Sequence, residues 1–197
     1  MKTTQCDFNC PLINARYVPS EINSKSKVLF LVEAPGKDEV AMGKPLVGIA
    51  GQDLMTIISW SGHTREDGNY INAVSCRPTK VNDGKISNRT PTIDEINCCN
   101  LRLYSEIIAF NPSIIVCMGK TPYVALGGER KALMRDIVGE FITYGNYDVI
   151  LAYHPAAIAH SGGISTQRGK AIASKISEVV SVAFNFKPSD KQLKMWG

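Results

Sequence analysis

Residues 27–33 read KVLFLVE, five apolar side chains in a row between a lysine and a glutamate, and Ala34-Pro35-Gly36 follows at once. A run this short and this continuous fits a strand covered on both faces, and Ala-Pro-Gly ends it in a sharp turn. Three more segments have the same character: Asn69–Val74 (NYINAV), Ser113–Met118 (SIIVCM) and Tyr147–Tyr153 (YDVILAY). Helical patterns lie between them. Gly51–Trp60 places Leu54, Ile57 and Ile58 on one face. Thr92–Phe110 does the same with Ile96, Leu103, Ile107 and Ile108, and opens with Thr92 and Glu95 at capping-box spacing. Thr166–Phe184 stacks Ile172, Ile176, Val179, Val180 and Ala183. Strands alternating with helices predict an α/β fold, a single-domain three-layer α/β/α sandwich with a central four-stranded parallel sheet. The domain is expected over 1–186, with a polar tail over 187–197.

A chain of 197 residues with 44% hydrophobic and 20% charged side chains can bury a real core, which excludes a disordered chain. No apolar run approaches the roughly eighteen residues of a membrane span. Residues 1–20 contain Cys6, Asp7, Cys10 and Pro11 and lack the apolar centre of a signal peptide. A soluble, cytoplasmic monomer is therefore expected. The formal charge of +4 is compatible with a polyanionic partner without pointing to one.

Six cysteines in such a chain argue against a disulfide framework, because cytosolic thiols stay reduced. Cys117 lies inside the apolar run SIIVCM and reads as a small buried hydrophobe. Cys6, Cys10, Cys76, Cys98 and Cys99 could supply four thiolates to zinc or to an iron–sulfur cluster. Spacing alone leaves metal ligation and unrelated thiols both open.

The longest loops, Ala34–Ala50, Ser75–Pro91 and Pro155–Ser165, each follow a strand. In open α/β sheets the ligand site lies beyond the carboxyl ends of the strands, so these loops are expected to meet at one crevice. Three chemistry-bearing residues stand at strand ends: Glu33, Asn72 and His154. The Ala-Pro-Gly turn would present the Glu33 carboxylate at the crevice, an amide offers a donor and an acceptor to a base edge, and a neutral imidazole can donate to a developing anion. Gly43, Gly48 and Gly51 permit close backbone approach, yet no Gly-Lys-Ser/Thr follows and no dinucleotide fingerprint is present.

Together these segments resemble the uracil-DNA glycosylase superfamily, in particular its iron–sulfur branch, family 4. The family's first motif, Gly-Glu-Ala/Gly-Pro-Gly followed by an acidic stretch and Gly-Arg-Pro-Phe-Val-Gly, is matched by Val32-Glu33-Ala34-Pro35-Gly36, Lys37-Asp38-Glu39 and Gly43-Lys44-Pro45-Leu46-Val47-Gly48. Its Asn…Cys-Arg-Pro segment matches Asn72 and Cys76-Arg77-Pro78, its Asn-Arg-Thr-Pro-Thr stretch matches Asn88–Thr92, and its His-Pro-Ala motif matches His154-Pro155-Ala156. The resemblance covers about residues 6 to 180. It implies a 4Fe-4S cluster held by Cys6, Cys10, Cys76 and Cys99, with Cys98 as the alternative fourth ligand, and Cys-x3-Cys stands where the family has Cys-x2-Cys.

The implied activity is that of a DNA glycosylase: a nucleotide flips out of single- or double-stranded DNA, and its N-glycosidic bond is hydrolysed to leave an abasic site. His154 would stabilise the leaving base and Glu33 would orient water or favour the sugar cation. Ala34, Gly36, Glu39, Leu46 and Asn72 would surround the base. Lys44, Arg77, Arg89 and Lys120 would meet phosphates, and the loop Pro155–His160, with Ala157 and His160, would wedge into the gap left in the duplex. Departures from the family concern the substrate: Leu46 replaces the phenylalanine that stacks on uracil, Ala157 replaces a tyrosine, and His160 replaces an arginine. The loop Thr79–Ser87 is several residues longer than usual. Uracil is the favoured substrate. A pocket opened for a 5-hydroxymethylated or glucosylated cytosine of phage DNA, acting in antiphage defence, is the alternative, and a non-catalytic iron–sulfur DNA-binding protein is the second.

Overall fold

The computed structural model describes residues 9–23 and 25–187; Cys6 and the tail beyond Lys187 lie outside them. The elements run β1 (Val28–Val32), α1 (Lys37–Met42), α2 (Ile49–Trp60), β2 (Asn69–Asn72), β3 (Thr79–Asn82), β4 (Lys85–Asn88), α3 (Ile93–Phe110), β5 (Ile114–Met118), α4 (Lys120–Ala125), α5 (Met134–Ile137), β6 (Phe141–Tyr144), β7 (Tyr147–Ala152), α6 (Ala156–His160) and α7 (Gln167–Phe184). The main sheet has the order β2-β1-β5-β7-β6. Its first four strands are parallel, as the apolar runs predict, with Phe30 opposite Tyr70 and Val116 on its two sides.

Successive side chains of these strands point to opposite faces, and each face has its own core. Phe30, Val32, Val116, Met118 and Ile150 pack under α2, α6 and α7, against Leu54, Ile57, Ile158, Ile176 and Val180. Leu29, Leu31, Ile115, Cys117 and Leu151 pack under α3 and α4, against Ile96, Leu103, Ile107 and Ala125. Cys117 is fully buried, and burial pushes its thiol pKa up, in keeping with a small hydrophobe. Both long helices start at capped threonines. Thr92 Oγ1 accepts the Glu95 N–H at 3.3 Å while the Glu95 carboxylate accepts the Thr92 N–H at 2.8 Å, and Thr166 Oγ1 accepts the Gly169 N–H at 3.0 Å.

The structure corrects three expectations. The sheet has five strands, not four, because β6 adds an antiparallel edge beside β7 through a Gly145-Asn146 turn. The expected loop Ser75–Pro91 carries the antiparallel ribbon β3–β4, closed at Asp83-Gly84, whose φ values of 49° and 74° suit a tight hairpin turn. The loops after β1 and β7 each contain a short helix, α1 and α6. The N-terminal segment runs along the sheet edge, where Tyr17 pairs with Cys76 and Glu21 with Tyr70.

Candidate active site

Because β1, β2, β5 and β7 run parallel, their carboxyl ends share one edge of the sheet, and the chain leaves them at Glu33, Asn72, Gly119 and Tyr153-His154. There a cleft of about 530 Å³ opens, lined by Glu33, Ala34, Gly36, Glu39, Leu46, Asn72 and His154, with Asn88, Arg89 and His160. That size falls within the range of small-molecule sites. Nine of the residues singled out in the sequence thus meet in one place: Glu33, Ala34, Gly36, Glu39, Leu46, Asn72, Arg89, His154 and His160.

Glu33 is held by a residue the sequence reading missed. Thr121 Oγ1, nearly buried at the start of α4, donates to the Glu33 carboxylate at 2.7 Å. Burial raises the Glu33 pKa above the ordinary carboxylate value, and the Thr121 bond partly opposes that rise. On the opposite side, His154 Nδ1 accepts the Ala156 N–H at 3.1 Å, so the neutral ring carries its proton on Nε2. Burial first, and then the neighbouring His160, push the His154 pKa down to about 4, with Glu39 pulling weakly the other way. Gly119 makes this placement possible, since a Cβ there would stand 2.9 Å from the His154 Cβ and its φ is +95°.

Asn72 is 2% exposed, and its Nδ2 makes no hydrogen bond within the protein. A buried amide donor without a partner is uncommon and costs about 1–3 kcal/mol. Its backbone is fixed from behind by fully buried Arg102, which donates to the carbonyls of Asn72 at 2.6 Å and Ala73 at 2.9 Å and pairs with Glu106 at 2.7 Å. The cleft therefore combines a neutral N–H donor, an amide with an open donor and a carboxylate of raised pKa.

The opposite wall is the segment from Pro45 to Gly48. Glu39 fixes it from one side: its carboxylate accepts the N–H groups of Val47 at 3.0 Å and Gly48 at 2.8 Å, and that of Gly36 at 3.0 Å. Arg65 fixes it from the other, donating to the carbonyls of Pro45 at 2.6 Å and Leu46 at 2.9 Å. Glu21 accepts two further Arg65 bonds at 3.0 Å each, and the guanidinium lies 4.6 Å above the Tyr70 ring. Leu46 sits buried with φ of 52°, a left-handed conformation that non-glycine residues adopt only where the surroundings enforce it. Gly51 completes the fit, because a Cβ there would stand 2.0 Å from the Leu46 carbonyl oxygen.

The basic residues divide. Arg89 lines the cleft, but its fork is committed inside the protein, to Glu95 through Nη1 at 2.7 Å and Nη2 at 2.5 Å and to the Thr79 carbonyl at 3.0 Å. Its charge is matched by Glu95, whose carboxyl pKa the Arg89 hydrogen bonds lower. Arg77 Nε donates to Asn88 Oδ1 at 2.8 Å, and Lys120 Nζ donates to the Ala132 carbonyl; neither lines the cleft. Lys44 is exposed on the turn between α1 and α2. Ala157 lies off the cleft, in an adjoining groove with Tyr153, Arg168 and Lys175 that shares His160 with it.

Four of the candidate cysteines belong to one side of the sheet: Cys76 follows the carboxyl end of β2, and Cys98 and Cys99 stand on α3. Cys10 and Cys76 are nearly buried, and with Cys98 and Cys99 they edge the core beneath α3. Cys10 Sγ accepts the Leu12 N–H at 3.4 Å. Burial raises the Cys99 pKa, while Arg102 and the Ser75 N–H pull it down, and Cys10 is close enough to repel a Cys99 thiolate. Among the described residues no three His, Cys, Asp or Glu side chains form a group that could hold a metal ion. In the same residues no helix is long and apolar enough to cross a membrane.

Comparison with known proteins agrees with this layout. The model of the uracil DNA glycosylase superfamily matches residues 19–173. The type-4 uracil-DNA glycosylase of Archaeoglobus fulgidus is 33% identical over 167 residues, covering 81% of this chain and 79% of that protein. That of Saccharolobus solfataricus is 37% identical over 152 residues, 73% of this chain and 67% of that protein. That of Thermotoga maritima is 33% identical over 156 residues, 79% and 77%. The matched residues 19–173 include every strand of the main sheet and every residue described above as lining the cleft, and the chain belongs to the uracil DNA glycosylase superfamily, a family of DNA glycosylases.

Proposed function

We propose that this chain removes uracil from DNA, acting as a cytoplasmic monomer built of one domain. The observation that carries the reading is the buried Nδ2 donor of Asn72, without a protein partner, in the same cleft as Glu33 and His154. A flipped uracil offers O4 and N3–H to the two ends of that amide. The C1′–N1 bond then breaks with the electrons going to the base, whose charge gathers on O2. His154 meets that charge with Nε2–H as a neutral donor, which its lowered pKa favours. Glu33, as carboxylate, favours the sugar cation and orients the water that adds to C1′; that water's proton leaves with the base or to solvent. Thr121 keeps the carboxylate ionised and aimed. The substrate is supported by the relatives at 33% and 37% identity, both type-4 uracil-DNA glycosylases.

Cys10, Cys76 and Cys99 would join Cys6 in holding a 4Fe-4S cluster. The Leu12 N–H at Cys10 and the Ser75 N–H at Cys99 fit thiolates that carry cluster charge. The cluster would be structural, tying the N-terminal segment to β2 and α3, since hydrolysis moves no electrons. Cys99, which interacts with Cys10, Ser75 and Arg102, is taken as the fourth ligand, with Cys98 beside it on α3 as the alternative. For DNA contact the exposed Lys44 and the Ala157–His160 segment are better placed than Arg89, Arg77 or Lys120, which are engaged within the protein.

A set of matched DNAs carrying uracil, thymine, 5-hydroxymethyluracil, 5-hydroxymethylcytosine or glucosylated hydroxymethylcytosine tests the reading through abasic-site formation. Release of uracil with the other bases spared is expected. Release of a bulky cytosine derivative with uracil spared would transfer the reading to modified phage DNA, for which Leu46 in place of an aromatic wall is the supporting feature. Binding of DNA with every base left attached would make the chain a binding protein.

A further inference from the structure

The ribbon β3–β4 is a chain feature that the base-excision chemistry does not use. Of its strand residues only Thr79 is part-buried; the rest are exposed. Two-stranded ribbons are marginal in water without something to cover their apolar side. The pairing sets Thr79 opposite Asn88, Lys80 opposite Ser87, Val81 opposite Ile86, and Asn82 opposite Lys85. By the two-residue alternation of a strand, Val81, Ile86 and Asn88 share one face, while Lys80, Asn82, Lys85 and Ser87 take the other. Asn88 lines the cleft, so the face that carries Val81 and Ile86 continues the cleft wall outward. That apolar pair is 66% and 65% exposed, and both lysines point to the opposite face. The ribbon's root is fixed where Arg89 Nε donates to the Thr79 carbonyl at 3.0 Å and Arg77 Nε to Asn88 Oδ1 at 2.8 Å.

Ile86 lies two residues from Asn88, about 7 Å at the rise of a strand. That distance equals about two stacked nucleotides along one DNA strand. We propose that the β3–β4 ribbon is a DNA-engaging element, whose Val81–Ile86 pair packs on the base stack about two nucleotides from the flipped one. Branched apolar side chains placed against base steps hold an opened stack apart, and the DNA that the ribbon meets is the one whose nucleotide occupies the cleft. The inference rests on the reading of the cleft as a base-excision site and adds to it a second point of contact.

The test uses the full chain carrying Val81→Thr and Ile86→Thr, which keep the β-branched shape that favours strands. Single-turnover release of uracil is measured against enzyme concentration, with thermal melting to establish that the fold is kept. The half-saturating concentration is expected to rise about tenfold, equal to about 1.4 kcal/mol, with the saturated rate unchanged. In a His154→Ala background, 2-aminopurine placed two nucleotides to either side of the uracil should change fluorescence on binding, and the threonine pair should abolish that change. Ile86→Tyr, which enlarges the flat surface offered to a base, should lower the half-saturating concentration. Unaltered half-saturation and fluorescence in both variants would overturn the proposal. Should the unsubstituted chain release no base at all, the excision reading fails by itself. DNA affinity and the 2-aminopurine signal then still decide the ribbon's role: a binding constant that the threonine pair leaves unaltered overturns it, and a tenfold loss supports it.

Discussion

Replacing Arg65 by methionine removes the fork that fixes the Pro45–Leu46 wall while keeping the length of the side chain. Four hydrogen bonds of 2.6–3.0 Å disappear, two to the Glu21 carboxylate and two to the carbonyls of Pro45 and Leu46. The Arg65 and Glu21 side chains are 21% and 18% exposed, so the ion pair lies between a surface pair worth about 0–1 kcal/mol and a buried one whose breakage costs about 3–5 kcal/mol. Adding the two carbonyl bonds, a loss of about 2–3 kcal/mol is expected, which for a chain of this size lowers the melting temperature by roughly 5–10 °C. Glu21→Gln combined with Arg65→Met in a double-mutant cycle should show a coupling of about 1–2 kcal/mol. Urea unfolding and single-turnover uracil release measure both consequences. The excision rate is expected to fall about tenfold to a hundredfold, since the wall formed by Leu46 loses its anchor and a displaced base meets the catalytic groups off line. Arg65→Lys keeps the charge but not the fork, and should recover part of the stability and little of the rate. An Arg65→Met chain that melts and excises like the unsubstituted one would refute the view that this guanidinium holds the wall.

Three other outcomes follow from the same geometry. Thr121→Val deprives the Glu33 carboxylate of its donor, so a pKa already raised by burial climbs further; the acid limb of the pH–rate profile should move to higher pH, and an unmoved limb would contradict the assigned contact. His154, with its pKa at about 4 against an ordinary 6.5, leaves the unfolded chain holding more protons between those values. Its contribution to stability is therefore complete above pH 6.5 and declines by about 3 kcal/mol as the pH falls to about 4, a slope that His154→Gln should lack in urea titrations. Cys99→Ser should abolish the visible absorption of an iron–sulfur cluster in the purified protein and Cys98→Ser should keep it; the reverse would exchange the fourth ligand.

The central strands were legible because burial on both faces leaves a continuous apolar run, and parallel strands then bring Glu33, Asn72 and His154 to one edge with no further information. Phe141–Tyr144 was not legible as a strand, since an edge strand buries only alternate residues and FITY is too short to show that period; the Gly145-Asn146 turn was the available sign. TKVN-DG-KISN carried its hairpin turn in plain view, yet its mixed polar residues hid the strands on either side. Thr121 and Arg65 act across 88 and 44 residues of sequence, on Glu33 and Glu21, and no local pattern marks such partners. Arg89 reads as a solvated cation until the start of α3 brings Glu95 against it.

The most direct test of the account is the rate of abasic-site formation in uracil-containing DNA under single-turnover conditions, compared between the unsubstituted chain, Asn72→Ala and His154→Ala. Uracil release by the unsubstituted chain, with each substitution slowing it by about a hundredfold or more while melting temperature and DNA binding stay near their original values, is the expected result. Equal rates in the three proteins would contradict the assignment of the strand-end cleft as the place where the base is held and released.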